Sequence, residues 1–295
     1  MKKKIILAGG TGFTGEYFKR RFEELGYEVL IISRGEPHIT WGNKVKIQQA
    51  LEGSELLINL AGKSVNCRYH EKNKKEILNS RTETTNLLGE LVASCQKPPK
   101  LWVNSSTATI YRHAEDRPMT EVDGEIGEGF SVNVATAWEE AFFSHQLEAT
   151  RQVALRIAIV LGDSGGVMVP YSNLAKFGLG GQQGNGKQMF SWIHIEDLFQ
   201  MILYVMDNEH LTGIFNSAAP NPITNREFTA AVRKAYNRKI GLPAAKWMLE
   251  IGTFVLRTET ELLLKSRWVI PERFEKEGFA FKYATIDEAL EQIAR

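Results

Sequence analysis

Cysteine is almost missing. Cys67 and Cys95 are the only two in 295 residues, too few to staple a chain of this length, which excludes a disulfide scaffold and fits a reducing cytoplasm. An excess of charge of one sign is missing too: 36 basic residues stand against 35 acidic ones, for a net charge of +1. That leaves no large electrostatic footprint for nucleic acid or an anionic membrane. No apolar run is long enough to span a membrane or serve as a secretory segment, because the run after the N-terminal lysines is broken by Gly9 and Gly10 after four residues. Cys67 and His70 have a zinc-like spacing but no second pair nearby, so no metal is expected. There is no internal repeat and no low-complexity tract. What is present is 43% hydrophobic residues, enough to fill a substantial core in one large or two ordinary domains.

The chain is organised around its start. Ile5, Ile6, Leu7 and Ala8 suit a buried strand, and glycines follow at Gly9, Gly12 and Gly15 where a helix over 16–25 must begin. Glycines so spaced let the backbone turn tightly, approach a pyrophosphate and seat the helix on the sheet, with phosphate on the free N–H groups of the first turn. Residues 28–33 read as a second strand. At its end an NAD site usually carries Asp or Glu for the ribose 2′-hydroxyl; Ser33 and Arg34 stand there instead. Arg34 can pair with a 2′-phosphate, which favours NADP over NAD.

Further along, 44–50 reads as a short strand and turn, and 55–60 as a strand ending in Asn59-Leu60-Ala61-Gly62. A long polar helix is expected over 71–95. The strand over 101–106 runs into Ser106, Thr107, Thr109 and Tyr111, four hydroxyls at a carboxyl strand end that either meet a ligand or satisfy local backbone. A helix over 130–150, a single strand over 153–161, a glycine-rich loop over 178–187 covering the site, a helix over 196–206 and a last strand over 213–218 complete the pattern. Short helices follow from 220, with a closing one over 285–293. Alternating strands and helices predict an α/β fold with a doubly wound parallel sheet. The expected division is a dinucleotide-binding domain of 1–162 and 190–219, and a smaller, mainly helical lobe of 163–189 and 220–295.

Gly9, Gly12 and Gly15, then Asn59 to Gly62, then Ser105 to Tyr111 together resemble the extended short-chain dehydrogenase/reductases. Leu155-Arg156-Ile157, Gly184 to Gln188, Ser191 to Leu198, Asn216, Ala219 to Pro222, Arg267 to Pro271 and Gly278 to Tyr283 are similar to the atypical "epimerase family" group with its small C-terminal domain of unknown function. The resemblance covers nearly the whole chain. It implies a Rossmann domain for a nicotinamide dinucleotide, held by Gly9, Thr11, Gly12, Phe13, Thr14, Gly15, Ser33, Arg34, Leu60, Ala61 and Gly62, with the C-terminal lobe closing a cleft.

Typical relatives carry Tyr-x-x-x-Lys on the helix after the serine strand, where a spacing of four puts both side chains on one face and the lysine lowers the tyrosine pKa. None of the eight tyrosines here is followed by such a lysine; Val134 and Trp138 match the two positions. Thr107 matches the hydroxyl that typical relatives use on a substrate oxygen, with Ser106 beside it. Tyr111, Glu139 and His194 are candidates by type for proton transfer, or else a packed phenol, a solvated helix carboxylate and a hydrogen-bonded structural histidine; Arg156 either clamps an anionic group or pairs within the fold, and His194 is also a candidate for substrate contact. Gly162 to Gly166 spells a hydrolase-like motif, but only Asp197 and His210 offer the acid and base downstream, poorly placed. Two readings stay open. One is an NADP-binding oxidoreductase or epimerase-like enzyme acting on a small or sugar-like substrate; the other is a non-catalytic NADP-binding sensor or regulator. A homodimer is left open.

Overall fold

The computed structural model describes residues 2–244 and 264–295. Its centre is a sheet of seven parallel strands: β1 (Lys4–Ala8), β2 (Glu28–Ser33), β3 (Ile39–Thr40), β4 (Leu56–Asn59), β5 (Leu101–Thr107), β6 (Arg151–Ile157) and β10 (Gly213–Ser217). Their order in space is β10-β6-β5-β4-β1-β2-β3. The chain therefore winds outward from β1 to β3, returns to the other side of β1 and winds outward again, a doubly wound Rossmann-type sheet. The reversal lies between β1 and β4, and ligands of such sheets bind at the carboxyl ends of the strands flanking it.

Alternation along each strand sorts the core into two layers. Ile5, Leu7, Ile31, Leu56 and Ile58 point to one face, onto Phe18 and Phe22 of α1 (Phe13–Glu24) and Phe199, Ile202 and Val205 of α6 (Ile195–Asp207). Ile6, Ala8, Ile32, Leu57 and Trp102 point to the other. There they meet Ile47, Ala50 and Leu51 of α2 (Lys44–Leu51), Leu88 and Val92 of α3 (Glu71–Ala93), and Phe142 of α4 (Phe130–Phe143). A third cluster joins α5 (Met168–Lys176), α7 (Asn225–Ala235) and α9 (Ile286–Ile293) around Phe190, Trp192, Phe228 and Leu290. A short α8 (Glu272–Lys276) packs Phe274 against Phe215 of β10. No helix among the described residues is long and apolar enough to cross a membrane.

The chain departs from the sequence pattern in several places. Residues 44–50 form a helix, not a strand. The alternation Lys-Val-Lys-Ile suggests period two, yet Asn43 caps the Lys46 N–H at 3.0 Å and the buried positions 47, 50 and 51 have helical spacing. The strand expected over 153–161 is interrupted at Ala158, whose N–H bonds Ser217 of the main sheet at 2.9 Å. Beyond it, β7 (Ile159–Leu161) leaves the sheet to pair with β9 (Trp192–His194). Met189–Phe190 forms β8, paired with β11 (Ile223–Thr224). Helix α4 stops at Phe143 rather than reaching 150, and α3 at Ala93. Any short helix expected over 245–263 lies outside the described residues.

Candidate functional site

The three glycines of the first turn do different work. At Gly9, with φ of +79°, a Cβ would stand 2.6 Å from the Ala61 backbone, so only glycine lets the turn lie against the end of β4. A Cβ on Gly15 would collide with the Gly10 carbonyl at 2.4 Å; its absence seats α1 under the turn. Gly12, the N-cap of α1, is the opposite case: a Cβ would meet nothing within 4 Å, and no side chain caps the helix. The first-turn amides of a 12-residue helix thus face open space, an arrangement that favours an anion.

That space is the mouth of a cavity of about 380 Å³. Gly9, Gly12, Phe13, Thr14, Gly15 and Leu60 form one end. Ser105, Ser106, Thr107 and Thr109 at the end of β5 form its floor, and Phe130, Ser131, Val134, Ala135 and Trp138 of α4 form a wall. Tyr69, Ile77 and Arg81 close the remaining side. Val134 and Trp138, one turn apart, therefore face into the cavity. Thr11 is exposed outside it. Ala61 and Gly62 shape it from behind, Ala61 against Gly9 and Gly62 against the Arg81 guanidinium. Ser33 and Arg34 lie farther along the strand ends. The Ser33 hydroxyl donates to the Gly35 carbonyl at 2.9 Å, and exposed Arg34 opens onto a groove shared with Lys63, Asn79 and Ser80.

Hydrogen bonding separates two of the floor hydroxyls, Ser106 and Thr107. Ser106 donates to Glu139 Oε1 at 2.6 Å, so its proton is committed. Thr107 Oγ1 accepts the Thr109 N–H at 3.1 Å, as the N-cap of a 3-10 turn over Ala108–Ile110, which leaves its own proton to give. Three other candidates are withdrawn from the cavity. Arg156 forms a buried two-pronged pair with Glu139, Nε to Oε1 at 2.9 Å and Nη2 to Oε2 at 2.7 Å, while its Nη1 donates to the Tyr111 phenol at 2.9 Å. The expectation that Arg156 clamps a ligand is corrected: its guanidinium is spent on the carboxylate beneath the floor. Tyr111 reaches Asn216 Oδ1 at 2.8 Å, and burial raises its pKa.

His194 is corrected as well. It caps α6, with Nδ1 accepting the Glu196 N–H at 3.1 Å and Nε2 on Gln292 Oε1 at 2.9 Å, and its ring packs on Tyr283. Burial lowers its pKa to about 4. The whole Ser191 to Leu198 stretch fastens the C-terminal residues: Ser191 Oγ accepts the Val269 N–H at 2.8 Å, and Asp197 accepts the N–H groups of Lys282 and Tyr283 at 2.9 Å each. Nor does the loop over 178–187 cover the cavity. It packs on α7 and on 242–244, with Gly181 N–H on the Leu242 carbonyl and Gln183 N–H on Asn225. The hydrolase-like turn has a different use: Gly162, Gly165 and Gly166 leave room for the Phe13 ring, which a Cβ on any of them would crowd at 2.7, 2.6 or 3.2 Å. Asp197 and His210 are bound elsewhere, His210 to Glu277 at 2.9 Å.

Sequence reading missed Tyr69, Arg81 and Ser131. For Arg81 a signal existed: it falls on the buried stripe Ile77, Thr85, Leu88 and Val92 of a helix otherwise polar. Ser131 is the polar member of the inward face of α4 that also carries Val134, Ala135 and Trp138, and Tyr69 lies in a loop with no comparable pattern.

Residues 5–218 match the model of the NAD dependent epimerase/dehydratase family. The chain belongs to that family. Residues 244–293 match a separate domain of unknown function, DUF1731. Among curated relatives of the family, the human epimerase family protein SDR39U1 is 33% identical, over 98% of this chain and 99% of its own. The Bacillus subtilis epimerase family protein YfhF is 31% identical, over 98% and 97%. Among solved structures, human SDR39U1 (isoform 2) with NADPH superposes with a TM-score of 0.89 at 32% identity, covering 99% of both chains. A nucleoside-diphosphate sugar epimerase from Corynebacterium glutamicum gives 0.80 at 25% identity, over all of this chain and 59% of that one.

Proposed function

We propose that the cavity receives NADPH and that the chain is an NADP-dependent oxidoreductase or epimerase-like enzyme acting on a small or sugar-like substrate. The observation that carries this reading is the continuity of the cavity from the glycine turn to the Thr107 hydroxyl. The residues fit the coenzyme. Gly12 leaves unfilled the space a diphosphate needs, the uncapped amides of α1 suit its charge, and Arg34 offers a guanidinium on the same edge of the sheet for a 2′-phosphate. When bound, the coenzyme supplies hydride transfer. The relative crystallised with NADPH supports the choice of coenzyme.

The chain's own part is to bind and orient. Thr107, with its proton free, donates to a substrate oxygen; Ser106 cannot, because its proton serves Glu139. Glu139 in turn is held by Arg156, so this buried pair sets the floor rather than moving protons. The only titratable side chains on the cavity wall, among the described residues, are Tyr69 and Arg81. That scarcity favours a second reading, a non-catalytic NADP-binding sensor or regulator.

A hydride-exchange screen of carbonyl and hydroxyl compounds separates the two. Under the first reading some substrate turns over, and Thr107→Ala slows it by roughly tenfold to a hundredfold while leaving NADPH affinity within twofold, since the lost bond forms only to the reacting oxygen. A screen that stays blank, with NADPH altering the affinity for a protein partner, supports the second.

A further inference from the structure

Two arginines, one beneath the cavity floor and one on its wall, are treated in opposite ways. Arg156 is buried against a carboxylate that matches it prong for prong. Arg81 is drawn in from α3 with no such partner. Its Nη1 donates to the backbone carbonyls of Lys63 at 3.1 Å and Ile77 at 3.0 Å. The guanidinium carbon sits 5.2 Å from the centre of the Trp138 ring and is so close to Gly62 that a Cβ there would stand 2.8 Å away. Two carbonyls, an indole face and a bare glycine fix the group in place, and none of them neutralises it. Among the described residues, no carboxylate lies within ion-pair distance, and Nε and Nη2 find no acceptor. Desolvation without a counter-ion lowers the Arg81 pKa to about 10, still well above neutrality, so the group enters the cavity charged. A cation held away from water and unpaired is costly unless something else meets it. Ser131 Oγ, on the α4 wall of the same cavity, is a second buried polar atom without a partner.

We propose that Arg81 is the anion-recognition residue of the cavity, its Nε and Nη2 donating to one oxyanion group, a phosphate or a carboxylate, of a molecule bound there. Planar guanidinium donors suit such a group because two parallel bonds can form at once. The inference rests on reading the cavity as a coenzyme and substrate site. The oxyanion has two sources, the diphosphate of the coenzyme or the acid group of a molecule bound beside it.

Calorimetry of wild type, Arg81→Gln and Arg81→Lys decides between them. Each protein is titrated with NADPH, and the NADPH-loaded protein then with inorganic phosphate and with malonate. If the coenzyme supplies the oxyanion, Arg81→Gln weakens NADPH at least tenfold and Arg81→Lys recovers part of the loss. If a neighbouring molecule supplies it, NADPH affinity stays within twofold, while the wild-type response to phosphate or malonate disappears in Arg81→Gln. Unchanged NADPH affinity together with an unchanged or absent anion response overturns the proposal. Thermal unfolding of the ligand-free proteins guards against a purely structural role. Removing an unpaired charge leaves the Tm of Arg81→Gln equal or higher, whereas a Tm several degrees lower with binding intact overturns the assignment. Wild type that binds no NADPH defeats the coenzyme reading alone; phosphate and malonate titrations of the ligand-free protein then decide the role of Arg81 by the same criteria.

Discussion

Arg34 is exposed at the end of β2, and its side chain makes no hydrogen bond or ion pair among the described residues. Its neighbour across the groove, Lys63, is already engaged by Asn73 at 2.7 Å and by the Glu76 carboxylate. Arg34 is therefore a cation available for a 2′-phosphate at that edge, with Lys75 of α3 on the same groove, whereas Lys63 is poorly placed to replace it. Arg34→Ala is expected to weaken NADPH by about tenfold or more while leaving NADH nearly unchanged, as expected for one charge-assisted bond of about 1.5–3 kcal/mol. The loss shrinks as salt is raised, because the contact is exposed and screened. Equal losses for the two coenzymes, measured by fluorescence titration, would remove Arg34 from this role. Single residues are legible in a sequence when their meaning comes from position in a local motif, as with Gly9 and Gly15, where the structure leaves no room for a Cβ; the role read for Arg34 is what the titration tests. Arg156 was not legible in that way. Its partner Glu139 is on another element, and Tyr111, which it also holds, is bonded to Asn216 at a separation of 105 residues. Type and neighbourhood in sequence cannot reveal that such a cation is already satisfied.

At the scale of elements, the informative case is α6 and the residue that starts it. His194 caps the helix only while Nδ1 is unprotonated, because that nitrogen accepts the Glu196 N–H. Protonation would break the cap inside a buried site, and burial accordingly lowers the folded-state pKa from 6.5 to about 4. Between those values the unfolded chain binds a proton that the folded chain refuses, so stability falls as pH drops from about 6.5 toward 4, by up to about 3 kcal/mol. His194→Asn keeps a capping oxygen and removes the titration. Its denaturant-derived stability should be lower at neutral pH, through lost contacts with Gln292 and Tyr283, but flatter across this window. Asp197 and Glu121, whose carboxyl pKa values burial raises, add slope of the opposite sign in both proteins and so cancel from the comparison. Parallel pH profiles for the two proteins would refute the assignment. The existence of α6 could be read from its amphipathic run; the work of its first residue could not, because Gln292 and Tyr283 arrive from the far end of the chain. The same limit explains the other misses among elements. Residues 44–50 alternate like a strand but are held as a helix by Asn43 and the sheet face above them. The break at Ala158 is set by β9, which no local pattern announces.

For the molecule as a whole, the alternation of strands and helices was enough to anticipate a doubly wound parallel sheet, because each buried strand is a near-continuous apolar run and each crossover helix has one apolar face. The glycine turn marks the edge of the sheet at which the winding reverses beside β1, where ligands of such sheets bind. What holds the C-terminal residues to this frame was visible only as a motif and became a set of contacts in the structure, through Ser191, His194 and Asp197. The coenzyme's expected place touches the turns after β1 and β4 together with β5, β6, α1, α3 and α4, so its binding should be felt across the fold rather than in one loop. A ligand at a hundred times its Kd adds about 2.7 kcal/mol to the folded state, and for a chain of this size each kcal/mol moves the Tm by roughly 2 °C. Saturating NADPH should therefore raise the unfolding temperature by about 5 °C, with NADH giving less through the absent 2′-phosphate. The Arg34→Ala protein should lose the difference between the two coenzymes but keep the shift they share. If neither coenzyme moves the Tm of wild type at millimolar concentration, the glycine turn holds no dinucleotide, and the reading of the cavity built on it fails with it.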